Sequence, residues 1–263
     1  AEAALEACFT GQFGAAGESV VIEECLVGEE ASILAVTDGI TIRPLLPAQD
    51  HKRIGEGDTG ENTGGMGVYA PAPVVTPEIM ARVQKEVLEP AIAILKQRHI
   101  PYCGILYAGL MIGPDGVPKV IEFNCRFGDP ETQAVLPLLE TPIDTLMLAC
   151  AEGQLEAQPE LQWRSGTAAC VVLAAAGYPG TYNKGMEIHG IEAATATGAL
   201  VFHAGTQAKG GKIVSDGGRI LGVTALGDDF DQAFAKAYAA VDVVEFEGKY
   251  FRRDIGHRVR SST

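Results

Sequence analysis

Glu122-Phe123-Asn124 sets a carboxylate and a carboxamide two residues apart. On an extended strand such positions share a face. Two oxygen donors then point the same way, a usual protein share for magnesium, which completes its shell with water and substrate phosphates. Alone the pattern is weak, and an ordinary strand with polar residues on one side is the plainer reading. Arg126 follows two residues later and carries the planar fork that grips phosphate or carboxylate. Asp129 and Glu131 beside it are either its ion-pair partners or substrate contacts.

A second stretch combines cations with glycines: Asp50-His51-Lys52-Arg53 runs on to Asn62-Thr63-Gly64-Gly65-Met66-Gly67. Without Cβ atoms, glycines let backbone N–H groups approach an anion closely; a flexible surface loop is the plainer alternative. Glu23-Glu24-Cys25-Leu26, followed by Gly28-Glu29-Glu30, puts acidic residues after an apolar segment. Those acids suit a solvated face, or a nucleotide if one lies there. The chain contains no G-x-x-x-x-G-K-[ST], no G-x-S-x-G and no H-E-x-x-H, and its five histidines are dispersed. His203 reads as a strand or core histidine.

The elements that must position these residues come from a chain of 263 residues, 47% of them apolar, enough for a packed core. Its net charge of −14 argues against non-specific binding to nucleic acid or an anionic membrane. The longest apolar runs, such as Ala168 to Ala176, are too short to span a bilayer. The first residues lack the pattern of a signal peptide. Six scattered cysteines with no C-x-x-C fit reduced thiols inside a cell, in the cytoplasm or an organelle such as a plastid.

Residues 1 to 9 read as the end of a helix, so the chain is expected to begin inside a larger protein. Val20-Val21-Ile22 reads as a short strand, and Ala31 to Thr37 with Ile40 to Pro44 as a hairpin about Asp38-Gly39. Pro47 to Pro73 reads as a long functional loop. Thr76-Pro77-Glu78 starts a helix that runs to about Arg98. Gly104 to Ile112 and Pro118 to Phe123 form a second hairpin, and Glu131 to Leu139 and Pro142 to Ala151 are helical. Polar composition from Glu152 to Ser165 suggests a boundary, giving domains 1–158 and 159–263. The latter is a small α+β unit with strands at Ala168 to Ala175, Val201 to Ala204 and Arg219 to Ala225, and a helix from about Asp229 to Val241.

Taken together, the 20–30, 48–53, 62–67, 106–111 and 120–133 segments, with Gly177-Tyr178-Pro179-Gly180, Val201 to Thr206 and Asp254-Ile255-Gly256, carry a resemblance. They resemble the glycinamide ribonucleotide synthetase (phosphoribosylamine-glycine ligase) family, ATP-grasp enzymes of purine synthesis. The similarity covers nearly the whole chain and corresponds to roughly the C-terminal three-fifths of such an enzyme. It implies an α+β ATP-grasp fold of antiparallel sheets with flanking helices, followed by the small α+β domain. It also implies ligation of glycine to 5-phosphoribosylamine through a glycyl phosphate, with ATP as co-substrate and magnesium or manganese as the metal.

By that resemblance Glu122 and Asn124 take the metal positions, while Arg126 and Lys52 act on the phosphoryl group. Glu23, Glu24 and Leu26 form the adenine hinge and Glu30 meets the ribose. Asn62, Thr63, Gly64, Gly65, Asp129 and Glu131 contact substrate. Leu106-Tyr107-Ala108-Gly109 lacks the additional acidic ligand many relatives have there, so Glu122 would carry more of the metal binding. Glu61 stands where Pro is commoner. The family's N-terminal domain and its lysine-bearing lid have no counterpart here, so the missing N-terminal part is an implied partner and the chain by itself is expected to be inactive. Another ATP-grasp carboxylate-amine ligase, or an inactive fragment serving as an interaction module, are the alternatives.

Overall fold

The computed structural model describes residues 2–260. Helix α1 spans Glu2–Phe9; Ala1, the first residue of the expected helix, lies outside the described residues. Residues 19–28 are irregular, so Val20-Val21-Ile22 is no strand. Val21 and Ile22 are 84% and 83% exposed. A β-branched run becomes a strand only where a neighbour completes its ladder, and no described strand lies alongside.

Strands β1 (Glu29–Thr37) and β2 (Ile42–Pro44) form the expected first hairpin, with Ala35 opposite Pro44. Asp38 Oδ1 accepts from the backbone N–H groups of Ile40 and Thr41 and holds the turn. The supposed loop from Pro47 to Pro73 instead holds four short strands: β3 (Gln49–Asp50), β4 (Arg53–Gly55), β5 (Thr59–Asn62) and β6 (Gly67–Ala70). Their glycines hide the usual alternation because several take positive φ, Gly57 in the turn before β5 and Gly60 within it.

Thr76 caps α2 (Pro77–Val83), accepting from Ile79 N–H. A π-helical stretch, Gln84–Leu88, follows before α3 (Glu89–Gln97). Pro90 lacks the N–H that would extend the regular ladder, which accounts for the widening there. Strands β7 (Gly104–Ile112) and β8 (Pro118–Asn124) form the second hairpin. Then come α4 (Glu131–Val135), a 3-10 turn at Leu136–Leu138, and α5 (Ile143–Ala151). The remainder is β9 (Thr167–Ala175), α6 (Ile191–Ala196), β10 (Leu200–His203), the hairpin of β11 (Thr206–Lys209) and β12 (Lys212–Ser215), β13 (Arg219–Gly227), α7 (Phe230–Val243) and β14 (Lys249–Tyr250).

These strands make two main antiparallel sheets. One is ordered β2-β1-β7-β8; the other is β10-β13-β9-β6-β3, with β14 pairing β9. The second crosses the line drawn after residue 158: β6 pairs β9 from Gly67↔Val171 to Ala70↔Ala168. Between the sheets, Leu34 and Tyr107 pack in one cluster with Val68, Ala168 and Leu146 of α5. Helices α2 and α3, with the π-helical stretch between them, cover the other face of the first sheet, through Val83, Leu88 and Ile92 against Ile33 and Leu110. Helix α7 covers the second through Phe234 and Val241. No helix of the described residues is long and apolar enough to cross a membrane.

Candidate active site

Alternation along β8 places Glu122 and Asn124 at successive like-facing positions, opposite Gly109 and Tyr107 of β7. The register shifts just before them, from Gly109↔Glu122 to Leu110↔Val120, so Ile121 is an extra residue. A bulge of this kind re-aims the side chains beside it. Gly109 leaves room: a Cβ there would meet Glu122 Cγ at 3.2 Å.

Lys52 stands between two of the expected residues, with Nζ 3.5 Å from Glu30 Oε2 and 3.8 Å from Glu122 Oε1. Burial disfavours its charge, yet Glu30, Asp50, Glu122 and Glu131 outweigh that and raise its pKa. A lysine so surrounded stays a cation, suited to meet phosphate oxygens.

Asp50 lies behind Lys52 and is 7% exposed. Burial, and then the charge of Glu131, push its pKa well above the usual carboxylate range. Glu131, at the start of α4, is also buried. Its Oε1 accepts from Ser32 Oγ at 2.9 Å and Tyr107 OH at 2.8 Å. Burial, followed by Glu131, raises the Tyr107 phenol and keeps it a donor. Asp50, Ser32 and Tyr107 were not singled out as site residues from the sequence. For Asp50 a signal was present, because Asp50 and Lys52 are two apart in an extended stretch; for Ser32 and Tyr107, apolar neighbours on central strands gave none.

Glycines fix the adjoining turn. Gly65 has φ +114, and a Cβ there would lie 2.5 Å from Pro130 Cδ and 2.7 Å from Asp50 Oδ1. Thr63 Oγ1 donates to Lys52 O at 2.8 Å and accepts from Gly65 N–H at 3.0 Å. Asn62 ends β5, paired with Arg53. Gly64 and Asp129 are joined by Arg219, whose Nη1 donates to both backbone carbonyls. Nothing local marks Arg219 as a site residue, because it is 155 residues from Gly64 and in no motif.

Glu23, Glu24, Leu26 and Glu30 line one cavity of about 380 Å³, walled also by Met111, Lys119, Val120 and Ile121. Lys119 Nζ contacts both carboxylate oxygens of Glu24 at 2.8 Å. Arg126 is exposed, and its Nη1 donates to the adjacent Phe127 O; no contact in the described residues ties it to Glu122 or Asn124. His203 is on β10, exposed, with Nδ1 2.9 Å from Thr206 Oγ1.

Among the described residues no group of three or more His, Cys, Asp or Glu is placed to hold a metal ion. One carboxylate and one carboxamide still fit magnesium, which accepts few protein ligands when phosphates and water supply the rest. They would not fit a structural zinc site, which needs four.

The chain matches two sequence profiles: "Phosphoribosylglycinamide synthetase, ATP-grasp (A) domain" over residues 1–132, and "Phosphoribosylglycinamide synthetase, C domain" over 168–258. It is 63% identical over 262 residues to a phosphoribosylamine-glycine ligase of Nostoc sp., covering 99% of this chain and 62% of that protein. It is 49% identical over 246 residues to the chicken trifunctional purine biosynthetic protein adenosine-3, covering 94% of this chain and 24% of that one. A crystal structure of the Thermotoga maritima phosphoribosylamine-glycine ligase superposes with a TM-score of 0.79 at 37% identity, over 88% of this chain and 56% of that one. The chain thus spans about three-fifths of the length of its single-activity relatives.

Proposed function

The chain belongs to the phosphoribosylglycinamide synthetase family, and from that premise we propose that it carries most of an ATP-dependent ligase joining glycine to 5-phosphoribosylamine in purine synthesis. In this reading it works with an N-terminal part such as its longer relatives have, in the cytoplasm or an organelle such as a plastid. Residues 159–263 serve as the C-terminal α+β domain. The observation that carries the reading is the Lys52 ammonium between Glu30 and Glu122, next to the cavity lined by Glu23, Glu24, Leu26 and Glu30.

Glycine's carboxylate and the γ-phosphate repel, so the site must hold two anions together. Backbone groups of Glu24 and Leu26 hold adenine and the Glu30 carboxylate accepts from the ribose, which brings the phosphates to Lys52. Glu122 and Asn124 would hold Mg2+ or Mn2+, which when bound neutralises the terminal phosphates. A glycine carboxylate oxygen attacks the γ-phosphorus, ADP leaves, and Arg126 steadies the transferred group. The phosphoribosylamine nitrogen then attacks the acyl carbon of glycyl phosphate, losing a proton as phosphate departs.

The buried acids Asp50 and Glu131 suit glycine's ammonium, because two neighbouring buried carboxylates favour a cation between them. Asn62 to Gly65 and Asp129 frame the substrates. Phosphate release by the full-length protein, measured over a panel of carboxylates and amines, tests this reading. Turnover confined to glycine with phosphoribosylamine is expected; turnover with a different pair only would assign it to another carboxylate-amine ligase.

A further inference from the structure

Arg219 has no part in the scheme above. On β13 the register with β9 shifts at this residue: Arg219 pairs with Ala174 but Leu221 with Leu173, leaving Ile220 as an extra residue. The bulge turns the guanidinium out of the C-terminal sheet. Its Nη1 donates to Gly64 O at 2.7 Å and Asp129 O at 2.8 Å, and lies 3.1 Å from Asp129 Oδ1. On the other side, Gly64 N–H donates to Tyr178 OH at 2.9 Å. Both polar groups of Gly64 are therefore held by residues that follow β6 by more than a hundred positions.

Gly64 lies close against the Arg219 side chain. A Cβ there would lie 3.0 Å from Arg219 Cζ, 3.1 Å from Nη2 and 3.2 Å from Nε, over the face of the guanidinium. The close approach lets one cation tie the Asn62 to Gly65 turn to the Asp129 turn.

We propose that Arg219 is a positioning residue for the ligase: it fixes these two turns relative to each other, so that their substrate groups converge. The proposal rests on the function proposed above. Its particular consequence is that removing the guanidinium and displacing it with a branched side chain act on the same contact. Arg219→Gln and Gly64→Val should then be non-additive.

The first arm uses this chain and hydrogen exchange. Each single variant should speed exchange at Gly64 and Gly65 by about tenfold or more, with β1 and β7 at the parental rate and the Mg-ADP thermal shift retained. The double variant should exchange within about threefold of the faster single. The second arm uses the full-length protein, where each variant should lower kcat/KM for glycine by on the order of 100-fold and leave the KM for ATP near the parental value. Single variants that match the parent, losses that multiply in the double variant, or loss of the Mg-ADP shift would each overturn the proposal. A parent inactive with glycine and phosphoribosylamine would sink the functional reading instead, and the exchange arm would still report on the Arg219 coupling.

Discussion

His51 Nε2 accepts a hydrogen bond from the backbone N–H of Gly256 at 3.1 Å, across 205 positions of sequence. Its Nδ1 lies 3.2 Å from Gly67 O, so Nδ1 carries the proton and the ring is neutral. This imidazole, between Asp50 and Lys52, anchors the link between β3 and β4 to the C-terminal segment.

Burial, then the charges of Arg252 and Arg258, lower the His51 pKa to about 3, with His257 acting the same way and Asp58 opposing. The unfolded ring titrates near 6.5, so below that pH the unfolded chain takes up a proton that the folded chain refuses. Stability is expected to fall as pH drops from about 6.5 toward 3, by at most about 1.4 kcal/mol per unit. Asp50, with its raised pKa, contributes the opposite slope, so the useful quantity is a difference. Urea midpoints of the parent should fall faster than those of His51→Gln between pH 6.5 and 5; parallel curves would refute this.

Glu122→Ala should abolish metal-dependent nucleotide binding and leave the fold intact. A ligand that binds only the native state raises the melting temperature by mass action. The parent should show a Mg-ADP shift that this variant lacks, and Lys52→Met should weaken the shift about tenfold in nucleotide concentration. Full binding by Glu122→Ala would remove the metal assignment.

The Arg252 side chain is shielded from solvent, and its Nη1 donates to Arg53 O, Nη2 to Asp58 and Asp254, and Nε to Asp254. Arg252→Met removes the buried donor that Arg53 O, Asp58 and Asp254 share, although Asp58 keeps Arg258 and Asp254 keeps the Gly57 N–H, and a loss of about 3 kcal/mol is expected in urea unfolding. A loss under about 1 kcal/mol would show the cluster to be ordinary surface pairing.

Gly65→Ala forces a Cβ onto Asp50 and Pro130 in a backbone region that L-residues avoid. A loss of about 1–3 kcal/mol is expected, with substrate binding weakened more than Mg-ADP binding. A variant as stable as the parent would show that the turn can move aside.

The proposed function draws on the part that longer relatives have beyond what this chain matches, so residues 1–263 alone should show negligible ligase turnover and retain nucleotide binding. Phosphate release at the rate of such a relative would overturn that expectation.

Local rules made much of this fold legible. Asp38-Gly39 set a hairpin, Thr76-Pro77 started a helix, and the apolar spacing of Phe230, Phe234, Ala237 and Val241 marked α7, because turn and cap chemistry and helical periodicity act over a few residues. The same rules misread Val20 to Ile22 and the stretch from Pro47 to Pro73. Whether a segment becomes a strand depends on a partner, and β6 lies between β3 and β9, the latter about a hundred residues away.

By itself the sequence determined the family, the two hairpins of the first sheet and the pairing of Glu122 with Asn124 along one strand, since each follows from neighbours in the chain. Tertiary structure alone decided that Lys52 stands between Glu30 and Glu122, that Asp50 and Glu131 are buried side by side, and that Arg219 reaches Gly64. Those relations depend on how sheets stack and bulge, and a charge's environment is set by whatever the fold brings within a few ångströms.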